Sequence, residues 1–270
     1  PMVDVRLEFD AGARRDPANK PGLSNLMAGA TSDGVRATAQ EPALAENALS
    51  DAWADLGASF GGSASADRLV FSLRSLTYPD LLAKSAALAA RQLAEPAFPE
   101  AIWLRDRPKI IAALKEADTR PANVAGKAFT KAVYGSHPYG AETTEDTLMR
   151  VGVKDFAIAH ARAIRPCYAK GSIVGAVSRV QADVLVTQIL ARLPKSECLA
   201  LPPVPEVEPM AQPKEINLPF ASAQAQVVMT IGNGRAHECF VHAKTGDQPR
   251  IGVSVCNQAL IHDTLSRQDR

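Results

Sequence analysis

The chain has 270 residues, 46% of them hydrophobic and 22% charged, with 30 Lys and Arg against 29 Asp and Glu for a formal charge of +1. That length buries a full core, in one large domain or in one domain with part of another. The balanced charge, with no Lys/Arg run interleaved with aromatics, argues against nucleic acid as a partner, and no apolar stretch reaches the ~20 residues that a membrane span needs. Cys167, Cys198, Cys239 and Cys256 are scattered with no C-x-x-C, so isolated thiols are expected in place of a zinc knuckle or a disulfide framework.

Val3, Val5, Leu7 and Phe9 alternate with charged residues, a period of two that puts all four on one face of a half-buried, antiparallel-style strand. The chain opens on this pattern and not on a charged and then apolar leader, so the expectation is a native start upstream or a removed targeting segment. A polar loop from Arg14 to Lys20 leads to Pro21, where a helix is expected to begin. A second helix is predicted from Pro42 to Leu56, with Ala45, Leu49, Ala52, Trp53 and Leu56 as its apolar stripe and Gly57 as its left-handed cap.

Gly61-Gly62 reads as a bend, and Leu69, Phe71 and Leu73 as the next strand. Helical spacing returns at Leu82, Ala86, Ala89 and Leu93, ended by Pro96 and Pro99, and again from Glu100 to Asp118 with a kink or fresh start expected at Pro108. Helices follow at Ala122 to Val133 and Val153 to Ala163. Ser172 to Val177 fits a short buried strand, with a helix after it carrying Ala182, Leu185, Ile189 and Leu193. The expected fold class is α+β, with α/β-like layering: a mixed, largely antiparallel sheet packed against helices.

Residues 1–193 are therefore expected to form a first domain that lacks upstream residues. Pro194 to Pro219 holds seven prolines and reads as an extended linker, and 220–270 as the start of a second, incomplete domain. There Ala223 to Ile231 alternates as a strand before the turn signal Gly232-Asn233-Gly234.

Five stretches in this order carry a resemblance: Pro1-Met2-Val3 through Ala11-Gly12, Asp16-Pro17 to Gly22-Leu23, Leu56-Gly57-Ala58, Asp67 to Leu76, and Tyr134-Gly135-Ser136-His137-Pro138-Tyr139-Gly140. Together they resemble the pitrilysin/insulinase family of inverted zinc-motif metallopeptidases, which includes the mitochondrial processing peptidases and the core subunits of respiratory complex III. The resemblance implies the fold of that family's half-domains. In the family the helix after the first strand carries H-x-x-E-H, in which two His bind zinc and the Glu activates water. Aligned on Gly22-Leu23, these positions fall on Asn25, Ala28 and Gly29, and the third ligand, a Glu of a later helix, falls on Ala113. No catalytic or metal-binding residue of its own is therefore expected in this chain, since zinc needs at least three N, O or S donors.

The resemblance implies the non-catalytic half of a heterodimeric peptidase: a partner with H-x-x-E-H holds the zinc, and the two halves enclose a peptide substrate. It also places an Arg and a Tyr of the inert half in its second domain, where they are not identifiable before Arg270. Bacterial halves of this kind are often exported, which makes a periplasmic location the expectation and a cytoplasmic one the alternative. Two further readings stay open: a structural or assembly subunit like the inert core proteins, and a divergent metal-dependent hydrolase built near His237, Glu238, Cys239 and His242. Geometry disfavours the latter, because His237 and His242 face opposite sides of a strand and diverge by ~140° on a helix. His137 reads as part of a turn with an anchoring aromatic, and Asp106 and Glu116 as solvated carboxylates. Gly57 to Ser65 occupies the place of the family's peptide-accepting edge strand, although its small residues read slightly better as a flexible bend.

Overall fold

A computed structural model of the chain describes residues 1–195, 200–207, 214–221, 226–231 and 237–239, with backbone alone for 229–231 and 237–239. They fall into two compact units, residues 1–111 with 141–204 and residues 112–140 with 205–270.

In the first unit the alternating residues form β1 (Met2–Phe9), with Val3, Val5, Leu7 and Phe9 all buried. Next come α1 (Leu23–Ala30), a two-residue pairing of β2 (Gly34–Val35) with β3 (Leu44–Ala45), and α2 (Glu46–Asp55). β4 (Ser59–Ala64), β5 (Leu69–Leu76) and α3 (Pro79–Ala94) follow. α4 (Glu100–Ala117) leads out of this unit and α5 (Pro121–Tyr134) lies in the other. The chain returns through α6 (Glu145–Met149), α7 (Val153–Ala163), β6 (Ala169–Gly175) and α8 (Arg179–Leu190).

The sheet order is β4-β5-β1-β6, and every ladder in it is antiparallel. The fold is thus α+β, an antiparallel sheet with helices on one face. α1 packs on β4 and α7, while α3 packs on β5 and α8. The inner face is built around a chain of rings: Trp53 stacks on Phe60 at 5.9 Å, Phe60 on Phe71 at 5.7 Å, and Phe71 meets Phe9 edge-on at 6.2 Å. Burying each such side chain contributes about 1.5–3 kcal/mol. Trp53 Nε1 donates to Gln92 Oε1 at 2.7 Å, so the indole keeps its hydrogen bond inside the core.

Several expectations are corrected. β4 is a strand and not a bend: its ladder to β5 and the anchoring of Phe60 hold Gly61-Gly62 extended. β6 is an edge strand with mostly exposed side chains, not a buried one, because β1 is its sole ladder partner among the described residues. α2 begins at Glu46 and not at Pro42, since the buried Arg91 draws the preceding loop onto α3 by donating to the carbonyls of Arg36 and Pro42. α4 runs through Pro108 without a fresh start; Pro108 lacks the N–H that the carbonyl of Leu104 would accept from.

In the second unit α5 ends at a turn, Pro138–Gly140, where the rings of Tyr134, His137 and Tyr139 cluster. His137 Nδ1 accepts from the Tyr139 amide at 3.1 Å, so Nε2 carries the proton and donates to the Pro205 carbonyl at 2.8 Å. This is the anchoring turn expected of the residue. β7 (Met229–Ile231) and β8 (His237–Cys239) pair as an antiparallel hairpin. Most of the segments expected as linker end and second domain lie outside the described residues, His242 included.

Candidate functional site

α1 starts without a side chain on its capping residue: Gly22 holds a left-handed φ of 88°, a conformation that glycine adopts without strain. The open amides are met from a distance. Asp16 Oδ1 accepts from the Ser24 amide at 3.0 Å and from Ser24 Oγ at 2.5 Å, a carboxylate at the positive end of a helix. Burial raises the Asp16 pKa above the usual carboxylate range, and these hydrogen bonds oppose it. Lys20 ties the same segment to α7 through Asp155 at 2.6 Å, and Asp155 in turn accepts from the Gly152 amide at 2.9 Å.

On the helix so placed, Asn25 and Gly29 lie one turn apart on its exposed side, whereas Ala28 is wholly buried. Asn25 Oδ1 accepts from the Ala64 amide at the end of β4, at 3.1 Å. Ala28 lies against β4, its carbonyl 2.9 Å from where a Cβ on Gly62 would stand. The three positions therefore present one neutral amide, a methyl group and a bare backbone. Ala113 sits exposed on α4, within the second unit. Water activation needs a base or a Lewis acid, and the α1 residues Leu23–Ala30 include no titratable side chain. Among the described residues no group of three or more His, Cys, Asp or Glu is placed to hold a metal ion.

The Ala64 amide faces Asn25 and not β5. By the two-residue period of a strand, the main-chain groups of Gly62 and Phe60 face outward on the same open edge. Such an edge is a template for an added strand. Sequence reasoning missed both Asn25's tie to β4 and Asp16's to α1, since neither pairing has a local signature.

Asp33, in the turn after α1, is pushed up to about 6 by burial, with Glu46 and Asp106 adding repulsion. Arg105 holds Glu46 through two bonds at 2.8 and 2.9 Å and Asp106 at 2.6 Å. Lys109 also reaches Asp106, and Arg120 reaches Glu116, both at 2.6 Å. Glu116 is exposed, as expected of a solvated carboxylate, and Asp106 is half-buried; each is also met by a basic residue three or four positions on. His160 gives its ring to the Leu93 carbonyl at 2.8 Å, and burial lowers its pKa. Cys167 is disulfide-bonded, which corrects the expectation of isolated thiols at that position.

The two-layer α+β unit, with a short helix lying under an open strand edge, is consistent with the half-domains of the family that the comparisons identify. The chain belongs to the insulinase family, peptidase family M16, whose profile matches residues 1–147. Among solved structures it is similar to a peptidase M16 inactive domain from Pseudomonas fluorescens, at 29% identity and a TM-score of 0.69 over 77% of this chain and 48% of that one. A protease from Helicobacter pylori matches at 19% identity and a TM-score of 0.64, over 77% and 50% of the two chains. The periplasmic protease PqqL from Escherichia coli matches at 17% identity and a TM-score of 0.60, over 87% and 24%. This chain thus spans about half of the first two structures, at 48% and 50% of their lengths. No curated protein gives a significant match. No helix among the described residues is long and apolar enough to cross a membrane.

Proposed function

We propose that this chain is a zinc-less half of a two-part M16 peptidase, which binds extended peptide and supports its hydrolysis by a family partner carrying H-x-x-E-H and the zinc. The observation that carries the proposal is α1. It lies under an open strand edge in a chain of this family, yet has Asn25, Ala28 and Gly29 at the aligned zinc and base positions. With Ala113 at the aligned third-ligand position, the four positions contain no zinc donor beyond one amide. The likeness to a domain described as inactive agrees with this reading. The β4 edge, with outward main-chain groups at Phe60 and Gly62, is the surface on which a peptide adds as a strand.

The compartment we propose is the periplasm or another exported location. The disulfide at Cys167 favours oxidising surroundings, and the likeness to a periplasmic protease agrees. Mixing the chain with a family member that carries H-x-x-E-H, followed by light scattering, tests the pairing. A one-to-one complex that turns over peptide faster than the partner alone is the expected result. A complex without stimulation would make this chain a structural subunit, and no complex would remove the pairing altogether.

A further inference from the structure

The outward edge of β4 is not open along its whole length. The Ser65 amide donates to the Arg68 carbonyl at 2.8 Å and closes the turn into β5. From that pair the antiparallel ladder alternates, so Ser63, Gly61 and Ser59 bond to β5, while the main-chain groups of Ala64, Gly62 and Phe60 face away from it. Ala58, two residues before Phe60, faces the same way, and its amide already donates to the Trp53 carbonyl at 3.1 Å. At the other end the Ala64 amide is taken by Asn25 Oδ1, and past it the carbonyls of Ser65 and Ala66 accept from the amides of Ala13 and Arg14, each at 2.9 Å. Between these closures Phe60 and Gly62 keep both an outward amide and an outward carbonyl with no partner among the described residues.

Asn25 stands where the next residue of an added strand would pair. The burial of Met27 and Ala28 fixes α1 beneath the strand and so holds the carboxamide at that point, with its Oδ1 in the role of a peptide carbonyl. A peptide that reached Ala64 would exchange this hydrogen bond for one of its own and gain nothing net, whereas at Phe60 and Gly62 it replaces bonds to water. We propose that Asn25 is a positioning residue that ends the acceptor edge, so that an extended peptide pairs through Phe60 and Gly62 alone, over about three of its own residues. The inference rests on strand addition at β4, as proposed above.

The test is fluorescence anisotropy of the full chain with labelled peptides of four and eight residues, both alternating Thr and Gln. The native chain should bind the two within about twofold of each other, since the longer one finds no further unpaired amide. Asn25→Ala opens the Ala64 amide, and the longer peptide should then gain about fivefold, the scale of one net hydrogen bond, with the shorter one unchanged. Asn25→Asp keeps an acceptor on that amide and should restore the native pattern. Asn25 is exposed, so both variants should fold. The same length dependence in the native chain and Asn25→Ala would overturn the inference while leaving strand addition in place. Weaker binding of both peptides to Asn25→Ala would overturn it too, by making Asn25 a direct contact. Binding of neither peptide would overturn strand addition and this inference with it.

Discussion

Ala28 has no exposed surface, so a carboxylate placed there meets the underside of β4 and not solvent. Ala28→Glu should therefore cost about 3 kcal/mol, the scale of burying an unpaired charge. Urea denaturation checks it, and a loss below about 1 kcal/mol would mean that the position opens readily. Asp33 gives a pH signature. Its folded pKa of about 6 lies above the ~3.9 of an unfolded aspartate, so the folded chain holds the proton more tightly. Its contribution is best below pH ~4, and stability falls as pH rises through 6. Asp33→Asn should flatten that slope and gain about 1 kcal/mol at pH 8, discounted from 1.4 kcal/mol per unit for solvent screening. Unfolding curves at pH 4, 6 and 8 decide this: an unchanged slope means that Asp33 is solvated.

At the scale of elements, the contact between α1 and β4 holds the helix under the strand edge. A Cβ on Gly62 would stand 2.6 Å from the Phe71 ring and 2.9 Å from the Ala28 carbonyl, whereas one on Gly61 meets nothing within 4 Å. Gly62→Ala should cost about 1–3 kcal/mol by overpacking, and Gly61→Ala should be within about 0.5 kcal/mol of neutral, as an open surface position is. Thermal melts of the pair check this, and equal losses would contradict the close approach. The same stretch shows why β4 was hard to read. Glycines carry no side chain to reveal a period of two, while Val3, Val5, Leu7 and Phe9 announce β1 directly. β6 misled in the other direction: Ile173 and Val174 look buried until their strand is placed at an edge. The start of α2 depends on Arg91, whose partners are far along the chain. The aligned zinc and base positions rest on the resemblance alone, and Asn25's bond to Ala64 and the disulfide of Cys167 had no signature in the sequence, because each depends on which distant segments the fold brings together.

For the whole molecule, the proposed function makes the chain half of an enzyme: one helix with neutral residues at the aligned positions, one strand edge left open, and zinc supplied by another chain. The most direct measurement is peptide hydrolysis by this chain alone, by an H-x-x-E-H family member alone and by the mixture, with zinc determined in each purified sample. The account predicts no zinc and no turnover for this chain alone, with the mixture exceeding its partner. Stoichiometric zinc with turnover by this chain alone would contradict it, and would mean that the metal site lies away from Asn25, Ala28, Gly29 and Ala113.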